Sequence, residues 1–595
     1  MQETTISSSG SASRLHSAGT LRMAQTGFTG SGVGWGNGRA VEVASSATLE
    51  AAANFNGGAT RQVTLNGGTL SLTAGSTTDS LNYVNNLTMN DGASVTGNSL
   101  RMGYYAQGLV TVGGTAASTF DTGIVLANSG SSTVTFDVAD ATGSSDADLT
   151  VSGVIRDLGS AYDDAPIIKN GSGTLVFSGS NTYTGQTTVN AGTLVAGVGT
   201  SYGGGSGPAF GTGDVVVNAG AMITGSTSFS VGGGDDTTRR VTLNGGTWDA
   251  SYASAGAEYV RYLDMTAGSL TVSAAQYIRT PYGGGLEVTT FAADTSSRIT
   301  AGIALTRGNL SLNVADGAAA EDLVLSGSLL PYSTNNPQAV IKSGAGTAVL
   351  TGTGTYTGGT SVNDGVLQIG TALTSGGGVL PTTGDTAIAA GATLRFAHGV
   401  TGPEYAGTLS GSGTLEVVGT GGTSNDLRLS GDNSSFTGSV EIAGGHLRAA
   451  NAAALSAANA VTISDSGVLS VFAYGAGNQY DITIGSLASA DATALVRLDC
   501  QWGLPRSGRR RDGGELDEPC GRSDLPAEFR RQHGGRHCGR LSRQRRVALA
   551  GDLMDRRHAR HDLFGRTLAD QHLGRRPGAL DDFRPDGAGP SRLRS

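Results

Sequence analysis

Short runs of apolar and β-branched residues, broken by glycine and asparagine, fill the first 490 residues of this 595-residue chain. Thr174–Phe177 and Thr187–Val189 are typical, and such runs favour strands. No sustained 3.6-residue periodicity occurs before residue 490, so we expect few helices there. Strands of about four residues form a stable sheet when each turn of chain bonds to the one before, about 4.8 Å along an axis. The pattern predicts an all-β fold, a right-handed parallel β-helix (β-solenoid).

One segment of the chain occurs twice without a gap. Residues 167–197 read IIKNGSGTLVFSGSNTYTGQTTVNAGTLVAG, and residues 340–370 read VIKSGAGTAVLTGTGTYTGGTSVNDGVLQIG. Such self-similarity predicts coils that stack on one another rather than a chain that collapses around one centre. The residues shared at an offset of 173 are Lys169, Gly171, Gly173, Gly179, Tyr183, Gly185, Gly192 and Gly197, which recur as Lys342, Gly344, Gly346, Gly352, Tyr356, Gly358, Gly365 and Gly370.

The segment resembles the autotransporter-associated β-strand repeat, or passenger-associated transport repeat, with the pattern K-x-G-x-G-T-L-x-L-x-G-x-N-x-Y-x-G-x-T-x-V-x-x-G-x-L. The first copy follows it nearly throughout, whereas the second departs at Ala348 and Gly354. A decayed third copy is expected over residues 407–448, in two parts separated by an insertion and with Phe436 in place of tyrosine. The resemblance implies a surface-exposed passenger β-helix, secreted across the bacterial outer membrane by the type V route.

Two interpretations of the motif's polar residues are open. Lys169, Asn181 and Tyr183 would suit a ligand site. Alternatively, Tyr183 packs at a corner of the coil and Asn181 bonds the backbone of a turn. We favour the second interpretation, so the repeat residues, Asn181 included, are predicted to be structural, and no catalytic, cofactor-binding or metal-binding residue is predicted.

The duplication extends beyond the motif. Val63–Thr69 recurs as Val241–Thr247, and other short matches recur at offsets from 171 to 176. We therefore predict a lead-in over residues 1–30 and a passenger β-helix over residues 31–496. Its duplicated blocks cover about residues 31–200 and 201–370.

Charge separates residues 497–595 from the rest. Residues 1–496 hold 17 basic and 34 acidic side chains, which gives little attraction for nucleic acid. The tail holds 22 arginines and all three cysteines, and it contains no Asn, Ile, Lys or Tyr. Its basic runs lack the interleaved aromatics of a nucleic-acid-binding arm, and its Cys and His do not form paired zinc knuckles. The composition favours a shifted reading frame near residue 497; the alternative is a genuine disordered basic tail.

Function is expected to follow from the rod rather than from a reactive centre. No H-E-x-x-H motif is present, and the three histidines of residues 1–496 lack a convincing aspartate partner. We predict a non-enzymatic adhesion, aggregation or display rod at the cell surface or secreted, which binds a host or bacterial surface ligand or itself. The alternative is a carbohydrate-active β-helix, a polysaccharide lyase or hydrolase, which would cluster carboxylates in a groove. The resemblance also implies a β-barrel translocator in the full protein, whereas neither its strand series nor a signal peptide is visible in this chain.

Overall fold

The computed structural model shows a chain built from β-strands, and its first compact unit is Met1–Ala550. The second unit, Gly551–Ser595, lies outside the described residues. The described residues are 12–15, 19–23, 40–52, 62–73, 82–103, 107–127, 132–159, 164–199, 208–227, 231, 239–251, 257–272, 277–281, 284–331, 337–371, 378, 380–381, 384–398, 402–419, 426–471, 482–489, 492–498, 525–526 and 548–549.

Among the described residues seventeen strands form the first sheet, in which each inner strand pairs in parallel with those one coil before and one coil after. Every coil therefore adds one strand to the stack. The strands are Ala12–Leu15, Ala40–Val43, Gln62–Asn66, Asn86–Asn90, Gly108–Gly113, Val134–Val138, Ile167–Asn170, Thr187–Val189, Val215–Asn218, Arg240–Asn244, Tyr262–Thr266, Leu286–Thr290, Leu310–Val314, Val340–Ser343, Thr360–Val362, Thr386–Ile388 and Leu409–Gly411.

In the described part of the chain twenty strands form the second sheet, again by parallel pairing from coil to coil. The pairings run in one line from the first strand to the last. The strands are Gly19–Met23, Ala47–Ala51, Thr69–Leu72, Ser94–Gly97, Ser118–Phe120, Leu149–Val151, Thr174–Phe177, Gly192–Ala196, Ala221–Gly225, Thr247–Asp249, Ser269–Thr271, Ser297–Ile299, Leu323–Leu325, Thr347–Leu350, Val366–Ile369, Thr393–Ala397, Thr414–Val418, Ser439–Ala443, Ala460–Ser464 and Ser486–Ser489.

The third face of the solenoid is carried by shorter sheets rather than one continuous ladder. Three parallel groups lie along the chain: Leu100–Met102, Ile124–Leu126 and Ile155–Asp157; Ala257–Tyr259, Tyr277–Arg279, Gly302–Leu305 and Leu329–Pro331; and Glu404–Tyr405, Asp426–Leu429, His446–Ala449, Val468–Val471 and Leu495–Leu498. Leu525–Pro526 joins the last group in antiparallel pairing, and Thr483–Ile484 pairs with Ala548–Leu549.

Alternation along each strand builds the core. In Ala47–Ala51 the first, third and fifth residues are buried and the two between them are partly exposed. The same pattern in the stacked strands yields one apolar core cluster with members from Val41 to Ala494. Burial of this apolar surface supplies the main stabilisation, and each coil depends chiefly on its neighbours.

Coil length varies, and the coils of the repeated motif are the shortest of the first sheet. Ile167 pairs with Thr187 and Val340 with Thr360, each 20 residues on, whereas Val134 pairs with Ile167, 33 residues on. Short coils need tight corners. Gly171 has a φ of 76°, and a Cβ there would lie 2.3 Å from the carbonyl oxygen of Val138 in the coil below.

The stack of parallel strands confirms the predicted all-β solenoid. Parallel pairing already begins at Ala12, ahead of the predicted start at residue 31, and it reaches Leu498. Most of the tail after residue 498 lies outside the described residues, as does the predicted reading-frame change. Among the described residues no helical segment has the length and apolar character needed to cross a bilayer.

Candidate functional site

The lysines of the two motif copies are buried in cages of backbone carbonyls. Lys169 is fully buried, and its Nζ donates to the carbonyl oxygens of Asn170, Gly171 and Ala191 at 2.9, 2.8 and 3.0 Å. Burial lowers the pKa of Lys169 to about 8, and nearby aspartates oppose the shift. All three ammonium donors are engaged by the protein itself, which leaves no group to bind a ligand.

The second copy repeats this cage. Lys342 is fully buried and donates to the carbonyl oxygens of Ser343, Gly344 and Asp364 at 3.2, 2.7 and 3.0 Å. Burial lowers its pKa to about 8 as well, against the attraction of Asp364 and Asp322. The lysine thus ties one turn of its own coil to the turn one coil later.

The motif's asparagine connects three coils. Asn181 Oδ1 accepts the backbone N–H of Ile155 at 2.7 Å from the coil before, and its Nδ2 donates to the carbonyl of Ala209 in the coil after. In the second copy Gly354 has no such side chain, and there the N–H of Leu329 bonds the carbonyl of Thr353 at 2.9 Å. The backbone therefore replaces half of the asparagine's contacts.

The motif's tyrosines are buried, and each shares a 2.7 Å hydrogen bond with a threonine four residues later. Tyr183 pairs with Thr187, and Tyr356 pairs with Thr360. Burial raises the pKa of both phenols well above the ordinary value. Neither ring is available to a ligand.

Two buried aspartates in the coils just before the motif copies bond to those copies, and sequence reasoning missed both. Asp148 accepts the backbone N–H groups of Ala141, Thr142 and Thr174 at 2.8, 2.7 and 2.7 Å. Asp322 accepts the N–H of Gly317 and of Thr347, each at 2.8 Å. Their recurrence at an offset of 174, close to that of the motif, was the signal that sequence reasoning overlooked.

A polar groove crosses three successive coils beside the first motif copy. It has a volume of about 590 Å³ and is lined by Asp164, Pro166, Thr184, Gly185, Gln186, Gly213 and Asp214. Gly185 and Gly213 let the coils stack closely here, because a Cβ on Gly213 would lie 2.2 Å from the carbonyl oxygen of Gly185. A Cβ on Gly185 would lie 2.1 Å from that of Ala165. The two stacked glycines therefore contribute only backbone to the groove lining.

Hydrogen bonds fix the walls of this groove. The N–H of Asp164 donates to Thr184 Oγ1 at 3.0 Å, and Thr184 in turn donates to Asp157 Oδ2 at 2.8 Å. On the far side the N–H of Arg240 donates to Asp214 Oδ1 at 2.9 Å. The walls are thus set by backbone and neighbouring side chains before any ligand arrives.

The remaining titratable candidates form no reactive constellation within the described residues. His446 Nε2 lies 2.6 Å from Ser470 Oγ, but the two residues are only 3% and 4% exposed. His398 is buried beside Phe396, and burial lowers its pKa to about 4. No three His, Cys, Asp or Glu side chains in the described part of the chain are placed to hold a metal ion.

Comparison with known families assigns the motif. The family model described as passenger-associated-transport-repeat matches residues 167–196, 340–369 and 422–449. These segments are passenger-associated transport repeats. The first two agree with the predicted copies, and the third overlaps the later part of the predicted residues 407–448. The transport repeats of this chain are therefore coils of a β-solenoid.

A curated relative extends the similarity beyond the transport repeats. The chain is 28% identical over 230 residues to the adhesin BmaC autotransporter of Brucella suis biovar 1 (strain 1330). The match covers 36% of this chain and 6% of that adhesin, so this chain corresponds to a small part of its length. No solved structure matches the chain. The repeats and this relative support an autotransporter passenger, a class that is exposed at the cell surface or secreted.

The third transport repeat occupies different faces from the first. Its Asp426–Leu429 strand lies on the third face, whereas Thr174–Phe177 lies in the second sheet. Ser439–Ala443 lies in the second sheet, whereas Thr187–Val189 lies in the first. The third repeat is therefore rotated by one face around the solenoid relative to the first.

Proposed function

We propose that this solenoid is a non-enzymatic autotransporter passenger that acts at the bacterial surface as a rod for adhesion, aggregation or display. The observation that carries the proposal is the set of three transport repeats within one stack of parallel coils. The partial similarity to an autotransporter adhesin supports it. Binding would come from many weak contacts along the faces of the rod, which multivalency makes strong.

The arrangement of polar groups supports a rod rather than an enzyme. The polar side chains of the repeat form their hydrogen bonds with neighbouring coils, as Lys169 and Asn181 do. Glycoside hydrolysis needs a pair of carboxylates, one of them with a raised pKa, on either side of the bond to be cleaved. The groove has two aspartates, Asp164 and Asp214, in its wall. Hydrolysis of a bound polysaccharide is therefore the enzymatic activity that an experiment should look for.

The duplication provides a test of the rod. Deletion of residues 168–340 removes 173 residues and joins Ile167 to Ile341, which keeps the strand register of the repeat. Cells that display this shortened chain should still adhere or aggregate, but more weakly than cells with the full chain. The shortened chain should also keep its β circular dichroism and its resistance to protease.

A deletion of residues 168–330 is the matched control, because it removes nearly as much chain but breaks the register. We expect it to be degraded, since a coil that cannot pair leaves its backbone groups unbonded. The adhesive role would be refuted if cells with the full chain settled and bound surfaces no better than cells with the translocator alone. Release of sugars from a bound polysaccharide would instead support the enzymatic alternative.

A further inference from the structure

The groove beside the first transport repeat offers acceptors that the protein leaves unused. Within the described residues, neither carboxylate oxygen of Asp164 receives a hydrogen bond, and Asp214 uses only Oδ1. Gln186 donates from Nε2 to Thr188 Oγ1 at 2.9 Å, which leaves its Oε1 without a donor. All three side chains are exposed at the groove. The groove therefore suits a ligand that presents several donors.

We propose that this groove binds an uncharged sugar chain. Sugar hydroxyls supply the donors that the carboxylates and the amide oxygen lack, and they also accept from the second N–H of Gln186. Pro166 contributes a small apolar wall for the C–H groups of a sugar ring. The proposal deepens the adhesive function and rests on it, since it names the ligand class of one surface of the rod.

The shape of the groove fits an extended chain. Its walls come from three stacked coils, those of Ile167, Thr187 and Val215. At about 4.8 Å per coil the groove spans about 10 Å along the solenoid, the length of about two sugar rings. Gly185 and Gly213 add no side chain to this lining.

Charge excludes the acidic polysaccharides. Residues 1–496 carry a formal charge of −17, and Asp164 and Asp214 add two carboxylates to the groove itself. A polyanion such as heparin would be repelled from this surface. A cationic chain would be attracted by the acidic rod as a whole, and the groove would then give it no selectivity.

The second block lacks two of the three groove acceptors and thus serves as an internal control. At an offset of 173, Pro337 stands in place of Asp164 and Gly359 in place of Gln186. Asp385 corresponds to Asp214, and its Oδ1 likewise accepts one hydrogen bond, from the hydroxyl of Thr408 at 2.6 Å. Of the three groove acceptors, the second block therefore keeps only the aspartate.

The test is native affinity electrophoresis of the full chain in gels that contain dextran, mannan or galactomannan. We expect at least one of these neutral polysaccharides to retard the chain, and heparin to leave its mobility unchanged. Gln186→Gly, which installs the residue of the second block, and Asp214→Asn should each raise the apparent Kd at least tenfold. Asp385→Asn should bind as the unaltered chain does.

Four results would overturn the proposal. They are no retardation by any neutral polysaccharide, equal retardation of all variants, retardation by heparin alone, and retardation that a calcium chelator abolishes. The last would assign the acceptors to a cation. Circular dichroism of each variant shows whether the fold survives, and protection of residues 164–190 from hydrogen exchange on addition of the polysaccharide gives a second readout.

The outcome for the groove is separable from the outcome for the proposed function. If cells that display Gln186→Gly adhere as well as cells with the unaltered chain, the groove is not the adhesive surface and the rod function stands. If cells with the unaltered chain do not adhere at all, the proposed function fails even where the groove binds sugar in the gel.

Discussion

The first and third transport repeats form the same asparagine hydrogen bonds at a corner of the coil, but on different faces of the solenoid. In the first repeat Asn181 accepts the N–H of Ile155, whose strand lies on the third face. In the third repeat Asn433 accepts the N–H of Leu409 at 2.7 Å, and that strand lies in the first sheet. Asn433 Nδ2 also donates to Ala454 in the following coil at 3.1 Å. The repeat therefore encodes a corner rather than a fixed face.

The two repeats differ in what surrounds this shared corner. The first has a caged lysine and a tyrosine bonded to threonine, whereas the third has Phe436 at the tyrosine position and no lysine. Phe436 is buried, as Tyr183 is. The two repeats therefore share the asparagine and a buried aromatic ring at the corner. The lysine cage and the phenol hydroxyl provide additional hydrogen bonds in the first two copies.

The largest effect is expected from Lys169→Met. The change leaves three buried carbonyls without their donor, which should lower the free energy of unfolding of that region by about 3 kcal/mol. Hydrogen exchange should rise in residues 165–196 and stay unchanged in residues 426–449, because each coil depends chiefly on its neighbours. An equal rise of hydrogen exchange in both regions would contradict this prediction, because it would show that the coils unfold as one unit.

Arg395→Met is the matched control for this prediction. Arg395 forms a partly exposed ion pair with Glu416 at 2.7 Å, and such pairs contribute at most about 1 kcal/mol. Lys342→Met should reproduce the effect of Lys169→Met in residues 340–369, since the two cages have the same three bonds.

Substitution of the shared asparagine tests whether the corner is independent of its face. Asn181→Ala and Asn433→Ala each remove an acceptor from a buried N–H and a donor from a carbonyl, at a cost of about 2 kcal/mol. The two losses, measured by urea unfolding or local exchange, should agree closely. A much smaller loss for Asn433 would mean that the third repeat relies on other contacts. Asn190→Ala, at an exposed asparagine, should cost little.

The phenol hydroxyl of Tyr183 should contribute less to stability than the asparagine side chain does. Tyr183→Phe leaves the buried hydroxyl of Thr187 without its partner, which should cost about 1 kcal/mol. The double change Tyr183→Phe with Thr187→Val should recover most of this loss, because both polar partners are then replaced by apolar groups. Thermal unfolding of the single and double variants checks the prediction, and a double variant less stable than the single would contradict it.

The sequence was sufficient to predict the stack of short strands and the repeat coils, because both follow from local patterns. The period-two alternation of Ala47–Ala51 and the glycines of the motif act within a few residues. The face that a repeat occupies is not local: Asp426–Leu429 changes face because of the strand count before it. A motif search finds the third repeat but does not predict its rotation.

The groove was also beyond sequence reasoning. Asp164, Gln186 and Asp214 come from three coils, and the chain between the last two includes residues 200–207, which lie outside the described residues. Only the pairing of Ile167 with Thr187, and of Thr187 with Val215, brings their coils into register. Asp148 and Asp322 were within reach, since they recur with the duplication.

The smallest effect concerns pH, and it separates the first two repeats from the third. Lys169 has a pKa lowered to about 8 against an ordinary value of 10.5, so its burial penalty is present below pH 8 and is relieved as pH rises to 10.5. Tyr183 has a raised pKa, so its contribution is present below pH 10 and is lost as pH rises further. The stability of residues 165–196 should therefore rise from pH 8 to 10 and then fall.

The change of the unfolding free energy with pH cannot exceed about 1.4 kcal/mol per pH unit for one proton, and we expect a fraction of this value. Residues 426–449 contain neither lysine nor tyrosine, so their exchange, corrected for the intrinsic dependence on hydroxide, should not show this maximum. Lys169→Met should abolish the rise and keep the fall. If the variant kept both the rise and the fall, the rise in stability would come from groups other than Lys169. The caged lysine would then have no measurable titration in this pH range.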